Sequence, residues 1–485
     1  MFCNAAIFKA AQLLCLTLAH LARIICFNRA NTCPGRLDPK LNCSVLNMLF
    51  ETTMTIYDYD VLVIGGGPAG SNAAWRTQNA GLRTLVVEKE AFPRFRIGES
   101  LLPHGNALLR ETGVWPKLEN AGFIEKYGAS FLLSNGAASK EVVFSQAIVP
   151  GLDKTLQVDR AQFDAILLDH AREAGAEVRT RTTIRSLSVE AEGHRATLET
   201  ADGTVDVSAR WIIDASGRDH LFPVELKRVL DPSEQPKRVA IYNHFRGVSR
   251  ASGKTAGNTV IVRLPDGWFW IIPIDAERTS VGFVTTAAAM RAARAEPSDL
   301  FNRTVAGSPA LSQLMAGSAP VMDFHVTGDY SYFRRRLAAG RLVLVGDAGG
   351  FFDPIFSSGV YMAAYSAKLA AEMVVRAHRG KRALTPRECR RYSAHVKAHA
   401  GVFKKLIASF YDNDSFAVFM CAQPPFTLGP AITAIVAGHA KLTWPIRWRF
   451  YVFLLVCRLQ RRFALVPRID FTGMETVAPK PVPAR

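Results

Sequence analysis

The sequence predicts an α/β fold: a Rossmann-like parallel sheet, a mixed β-sheet domain inserted into it, and a helical region at the C-terminal end. Three observations predict it. The apolar run Val61-Leu62-Val63-Ile64 leads into Gly65-x-Gly67-x-x-Gly70, a buried strand, a tight turn and a helix start. Two later stretches, Trp211 to Gly217 and Arg341 to Gly350, repeat the pattern of buried strand and glycine turn. Between them lie alternating apolar and polar residues, the period of half-buried strands.

The composition fits a globular chain. Of 485 residues, 49% are hydrophobic and 21% charged, enough to bury a large core in two connected domains and too apolar for disorder. The net charge of +17 gathers late in the chain, at Arg334 to Arg336, Arg376 to Arg391 and Arg447 to Arg468. No nucleic-acid fold accompanies these runs, so an acidic protein or an anionic membrane surface is the better-matched partner, beside a solvated basic face with none. Cys389, Cys421 and Cys457 have no metal-ligand spacing and make no disulfide framework, which suits a reducing compartment.

Residues 1–53 read as an N-terminal extension. The apolar stretch Ala5 to Phe27 is interrupted by Lys9, His20 and Arg23, and three readings stay open: an upstream translation extension, an anchor, or a cleaved signal. Tyr59 to Glu88 forms the first strand–helix–strand unit, with Glu88 closing the second strand about 20 residues past the glycine turn, where a ribose hydroxyl is held in dinucleotide sites. Gly67 leaves room for a diphosphate to approach the backbone, and the helix N-terminus offers it free N–H groups. Gly113 to Lys126 reads as a helical piece around Trp115, Leu118 and Phe123. Ser130 to Gly151 opens the inserted sheet, Ala161 to Ala174 is helical, and Val178 to Val207 is a small antiparallel meander. Residues 238–330 alternate strands with a helix near Ala287 to Ala295, a helix runs from Gly359 through Val375, and 381–470 is mostly helical. The resulting domain plan is 54–400 for the nucleotide-binding domain (mainly 54–130, 155–220 and 335–380) with an interleaved substrate domain (mainly 130–155 and 220–335), then a basic helical region at 400–485.

The glycine fingerprint with Glu88, the Asp214-Ala215-Ser216-Gly217 turn and Gly346-Asp347-Ala348 together resemble the FAD-binding, glutathione reductase type domain of the monooxygenases of the para-hydroxybenzoate hydroxylase fold. Within that superfamily, Gly267-Trp268-Phe269-Trp270-Ile271-Ile272-Pro273 resembles the Gly-Trp-x-Trp-x-Ile-Pro signature of flavin-dependent halogenases at every fixed position. Ile97 to Pro103 and Asp353 to Val360 look like segments of the phenol and pyrrole halogenases. The resemblance covers about residues 56 to 400.

It implies FAD as cofactor, bound by Gly65, Gly67, Ala69, Gly70, Glu88, Arg160, Gly346 and Asp347 and supplied reduced by a separate flavin reductase, since no second nucleotide fingerprint appears. It implies halogenation by hypohalous acid, with the indoles of Trp268 and Trp270 on one face of a strand keeping the substrate away from the flavin. Lys126 is implied as the catalytic amine that holds the oxidant near the substrate, against a reading in which Lys126 is a solvated partner of Glu125. Chloride or bromide is implied at the backbone N–H groups of Ser358 and Gly359. Tryptophan halogenases carry a glutamate where Phe356 stands, which favours a phenol or pyrrole, free or tethered to an acidic acyl carrier protein that the basic tail would dock. The competing readings are an aromatic hydroxylase or polyprenyl reductase of the same fold, and a membrane-associated flavin-binding protein. The expected location is cytoplasmic, with peripheral contact at a membrane as a further reading.

Overall fold

The computed structural model describes residues 57–219, 228–229, 237–328, 332–421, 424 and 426–471. The extension read over 1–53 lies outside them. The first strand, Tyr59–Ile64, sits between two parallel neighbours, Gly203–Asp214 and Thr84–Val87. A parallel strand covered on both faces needs apolar residues at consecutive positions, which is why Val61 to Ile64 carries no alternation. Across this sheet the order is 338–339, 342–344, 203–214, 59–64, 84–87 and 177–179. The helix Pro68–Asn79 covers one face and packs on Gly359–Arg379 and Arg160–Glu173.

Two local readings change. The meander over 178–207 and the strand at Trp211 are joined: Gly203–Asp214 is one strand of 12 residues. Its first half is largely exposed and pairs antiparallel with His194–Thr200, and its second half is buried and parallel to Tyr59–Ile64. The change of neighbour along one strand turns an alternating pattern into a continuous one, and from sequence that looks like two strands. The helical piece read over Gly113 to Lys126 is a short helix, Trp115–Glu119, followed by the strand Ile124–Lys126 paired with Thr155–Gln157. A three-residue strand is specified by its distant partner, not by its own propensity.

The inserted sheet runs in the order 319–320, 238–246, 278–286, 267–273, 259–263, 128–133 and 139–143. Its two faces bury different cores. Phe269 and Ile271, with Ile241, Val262 and Phe283, pack under the helices Pro297–Ala306 and Pro309–Leu314. Trp268, Trp270 and Ile272 point the other way and join the core of the first sheet and the C-terminal helices. This period-two division makes Gly267–Pro273 buried at every position.

The C-terminal region contains, among the described residues, the helices Pro386–Tyr411, Asn413–Met420, Leu428–Val436 and Trp444–Phe463. Thr385 and Glu388 cap the first of them reciprocally. The last one buries Ile446, Phe450, Phe453 and Cys457 and leaves Trp444, Tyr451, Leu455, Leu459 and Phe463 exposed. No helix among the described residues is long and apolar enough to cross a membrane.

Trp270 lies over Gly282, its partner across the strand pair, and a Cβ there would stand 2.1 Å from the indole Cζ2. The Gly282→Ala variant is therefore expected to lose about 1–3 kcal/mol of stability in denaturant unfolding through overpacking. It also pushes the indole off its bond to Ser280 Oγ, now 3.0 Å from Nε1, an effect to be followed by tryptophan fluorescence.

Candidate active site

The glycine turn after the first strand is tight enough to dictate its residues. Gly65 has φ of +100°, and a Cβ on Gly70 would lie 1.8 Å from the Gly65 carbonyl oxygen, so the helix Pro68–Asn79 starts as close to the strand as backbone allows. Glu88 is buried at the end of the neighbouring strand and accepts from the N–H of Gly66 at 2.7 Å and of Glu90 at 2.9 Å. Its carboxylate borders a cavity of about 710 Å3 that also takes in Gly65, Gly67 and Ala69.

Of the arginines that line the same cavity, Arg94 and Arg160 share one buried partner. Arg160 opens the helix Arg160–Glu173, and its Nε and Nη2 donate to the two oxygens of Asp164 at 2.8 and 2.9 Å. Arg94 donates to the same carboxylate at 2.9 Å. Asp164 is fully buried and thereby fixes both cations at the cavity wall. Arg94 was not singled out from the sequence; the signal was the basic run Pro93-Arg94-Phe95-Arg96 just ahead of Gly98. Asp347, in the turn after Leu342–Leu344, also lines the cavity, and burial raises its carboxyl to about 6 against the pull of Arg160 and Arg218. Gly346 has φ of +57° and donates its N–H to Ser366 Oγ at 2.9 Å.

Away from the glycine turn the cavity is bounded by Trp268, Trp270, Ser100 and Thr259, and by the loop residues Pro354, Ile355, Ser357 and Gly359. The indole centroids of Trp268 and Trp270 are 5.9 Å apart. Trp268 Nε1 donates at 2.6 Å to the hydroxyl of Tyr411, which in turn donates to Asp353 at 2.5 Å. Tyr411 comes from the helical tail and ties the indole to the loop, a link no local motif foreshadows. Ser357 in that loop has φ of +55°. Of the pair read as a halide site, Gly359 borders the cavity with nothing within 4 Å of where its Cβ would be. Ser358 is buried at the N-cap of Gly359–Arg379, and its side chain makes no cap bond. Phe356 is turned into the core against Phe131 and Phe410.

Lys126 is 2% exposed, so the surface pair with Glu125 does not form. Glu125 instead binds Lys154 and Tyr127 on the outer side of the strand. The Lys126 amine donates to Ser100 Oγ at 2.7 Å and to the Leu101 carbonyl at 3.3 Å, over the Phe144 ring. Burial lowers its pKa to about 7. Ser100 stands between this amine and the cavity.

The residues fit FAD. A turn with no room for side chains faces a helix N-terminus, a buried carboxylate stands at the second strand, and two guanidinium groups are held by one buried aspartate. These supply the backbone donors, the ribose acceptor and the cationic partners that a dinucleotide diphosphate requires.

The buried amine carries a stability consequence with a definite sign. Below about 7, Lys126 is charged in the folded and unfolded states alike, and desolvation counts fully against the fold. Between about 7 and 10.5 only the unfolded chain holds the proton, so this penalty fades as pH rises. Lys126→Met is expected to melt above the wild type at pH 7, with the gap narrowing towards pH 10, as thermal unfolding across that range would show.

The family model described as tryptophan halogenase matches residues 60–135 and 113–416. The chain is 34% identical to a 1H-pyrrole-2-carbonyl-[peptidyl-carrier protein] chlorinase of Pseudomonas fluorescens, over 67% of this chain and 77% of that one. It is 32% identical to a tryptophan 2-halogenase of Chondromyces crocatus, over 65% of this chain and 60% of the relative. Among solved structures, the flavin-dependent brominase Bmp2 superposes with a TM-score of 0.72 at 26% identity, over 83% of this chain and 99% of that one. The fold read from sequence, FAD-binding α/β with mixed sheets and helices, agrees with these structures. The chain belongs to the tryptophan halogenase family and is a flavin-dependent halogenase, an oxidoreductase-type enzyme that uses FAD together with chloride or bromide.

Proposed function

We propose that this halogenase acts on an electron-rich pyrrole or phenol presented by an acidic carrier protein, with Lys126 as its catalytic amine. The observation that carries the reading is the Lys126 amine, buried behind Ser100 at the wall of a cavity that Trp268, Trp270 and Gly359 also line. Reduced FAD, delivered by a separate reductase, supplies the electrons with which dioxygen brings halide to the hypohalous level. The protein's own groups do the rest. Gly65, Gly67, Ala69, Gly70, Glu88, Arg160, Gly346 and Asp347 hold the cofactor, joined by Arg94. The two indoles divide the cavity and keep the aromatic substrate from the cofactor. The N–H groups of Ser358 and Gly359, at the positive end of a helix of 21 residues, attract halide. An amine with a pKa near 7 holds or gives up a proton at neutral pH with little driving force either way, as a group steering hypohalous acid requires.

The choice of substrate rests on two supports. The Pseudomonas fluorescens relative is named for a pyrrole on a peptidyl carrier protein. Phe356 is buried in the core, and no carboxylate from the 353–359 loop lines the cavity. A phenol or pyrrole supplies electron push from its own heteroatom and needs no such base. The carrier would dock on the last helix, where Arg447, Arg458 and Arg462 are exposed beside Trp444, Tyr451 and Leu455. Arg449 and Arg461 are engaged by Phe426, Thr427 and Asp412 and contribute less.

The test is turnover of pyrroles and phenols, free and carrier-bound, with FAD, a flavin reductase and bromide, read by mass spectrometry. A bromine isotope doublet absent from Lys126→Ala is the expected result, and a hydroxylated product formed equally without halide would refute the reading. Neutralising Arg447, Arg458 and Arg462 is expected to raise KM for the carrier-bound substrate at least tenfold and to leave a free aromatic unaffected.

A further inference from the structure

The side chains around Ser100 leave one proton over. Gln157 Nε2 donates to the Gly257 carbonyl at 3.0 Å and to Thr259 Oγ1 at 2.9 Å. The Gly257 carbonyl accepts only, so it fixes which end of the Gln157 amide is NH2, and Thr259 Oγ1 is an acceptor in that bond. On the other side the Lys126 ammonium, a donor only, gives a proton to Ser100 Oγ at 2.7 Å. The two hydroxyl oxygens, Ser100 Oγ and Thr259 Oγ1, are 3.0 Å apart, and one of their two protons makes the bond between them. The second has no acceptor among the described residues. Both side chains border the cavity.

We infer that Ser100 and Thr259 form a hydroxyl pair that presents one O–H to the reaction cavity, and that Lys126 acts on hypohalous acid through Ser100 rather than by direct contact. The inference rests on the reading of Lys126 given above and assigns the touching group. Halogen passes from hypohalous acid to the ring carbon as X+. The departing hydroxide takes the Ser100 proton and becomes water, and Lys126 reprotonates the serine. The proton lost from the ring carbon on rearomatisation restores the lysine, so that HOX and ArH give ArX and H2O with no other reagent. A neutral Lys126 reverses the arrangement: its lone pair accepts the Ser100 proton and withdraws it from the cavity. The charged groups nearby are occupied elsewhere. Glu99 holds His244, and Glu125 faces Lys154 and Tyr127.

The full-length enzyme, loaded with chemically reduced FAD and mixed with oxygen, halide and aromatic substrate, tests this. Ser100→Ala is expected to lower halogenation about 100-fold, with reoxidation of reduced FAD unchanged and hypohalous acid escaping to a scavenger. Ser100→Thr, which keeps the hydroxyl, is expected to return to within about tenfold of the wild type. Thr259→Val leaves the Ser100 proton free and is expected to stay within about tenfold as well. The wild-type rate falls as pH rises through the Lys126 titration, at the same pH with chloride and bromide, and Ser100→Ala lacks that limb. Halogenation by Ser100→Ala within twofold of the wild type, persistence of the limb in it, or an equal loss in Thr259→Val would overturn the inference. If Lys126→Ala halogenates normally, the reading of Lys126 itself falls. If Lys126→Ala is dead while Ser100→Ala is normal, only the hydroxyl pair falls.

Discussion

A primary amine buried at 2% exposure, with no carboxylate against it among the described residues, is the constraint around which this side of the cavity is arranged. Burial disfavours the ammonium form, and no charge among the described residues restores it. What the fold provides is three uncharged partners from two places: the Ser100 hydroxyl with the adjoining Leu101 carbonyl, and the face of Phe144. A carboxylate in their place would lock the proton on the lysine and raise its pKa. Glu125 is next in sequence, and the alternation of the strand Ile124–Lys126 sends it to the opposite side. That strand exists only because Thr155–Gln157 pairs with it, and the same partner strand contributes Gln157 to the hydroxyl network.

The nucleotide end of the cavity obeys a different logic. There the cavity wall carries glycine backbone and paired guanidinium groups, and hydrogen bonds within the protein hold the guanidinium groups in place. Asp164 binds Arg94 and Arg160 together, which holds two cations side by side where their mutual repulsion would otherwise separate them. Asp347, with its carboxyl raised to about 6, adds little negative charge near them at mildly acidic pH. One cavity thus has a cationic, backbone-lined end and an aromatic, hydroxyl-lined end, and Trp268 and Trp270 bound the second.

What was legible in the sequence was what is local. The turn at Gly65 to Gly70 and Glu88 lie within one strand–helix–strand unit, so spacing alone locates them. Trp268 and Trp270 share a strand, and period two puts them on one face. Lys126 could be singled out only by resemblance, because its strand is three residues long and its burial depends on segments distant in sequence. Ser100, Thr259 and Gln157 lie in three distant stretches, and nothing in any one stretch marks its polar residue as a partner of the other two. Their meeting is a property of the tertiary fold, as is the orientation of the Gln157 amide, which the Gly257 carbonyl decides. The long strand Gly203–Asp214 misled for a related reason, since its neighbours change halfway along.

The resemblance read from sequence ends near residue 400, yet the helical tail beyond it helps to close the aromatic end of the site. Phe403 and Phe410 on Pro386–Tyr411 are buried in the shared core, and Phe410 meets Phe131, Phe356 and Trp268. Tyr411, one residue on, has its hydroxyl between the Trp268 indole and Asp353. Asp353 also accepts from the N–H of Ile355 and so sets the turn that leads to Ser358 and Gly359. A phenol that accepts from the indole and donates to the carboxylate ties the two groups together through one oxygen. The tail therefore couples the position of the Trp268 ring to that of the loop at the helix N-terminus. A displacement of the helix Pro386–Tyr411 moves both walls of the cavity together, which makes the tail part of the site although it contributes no motif to it.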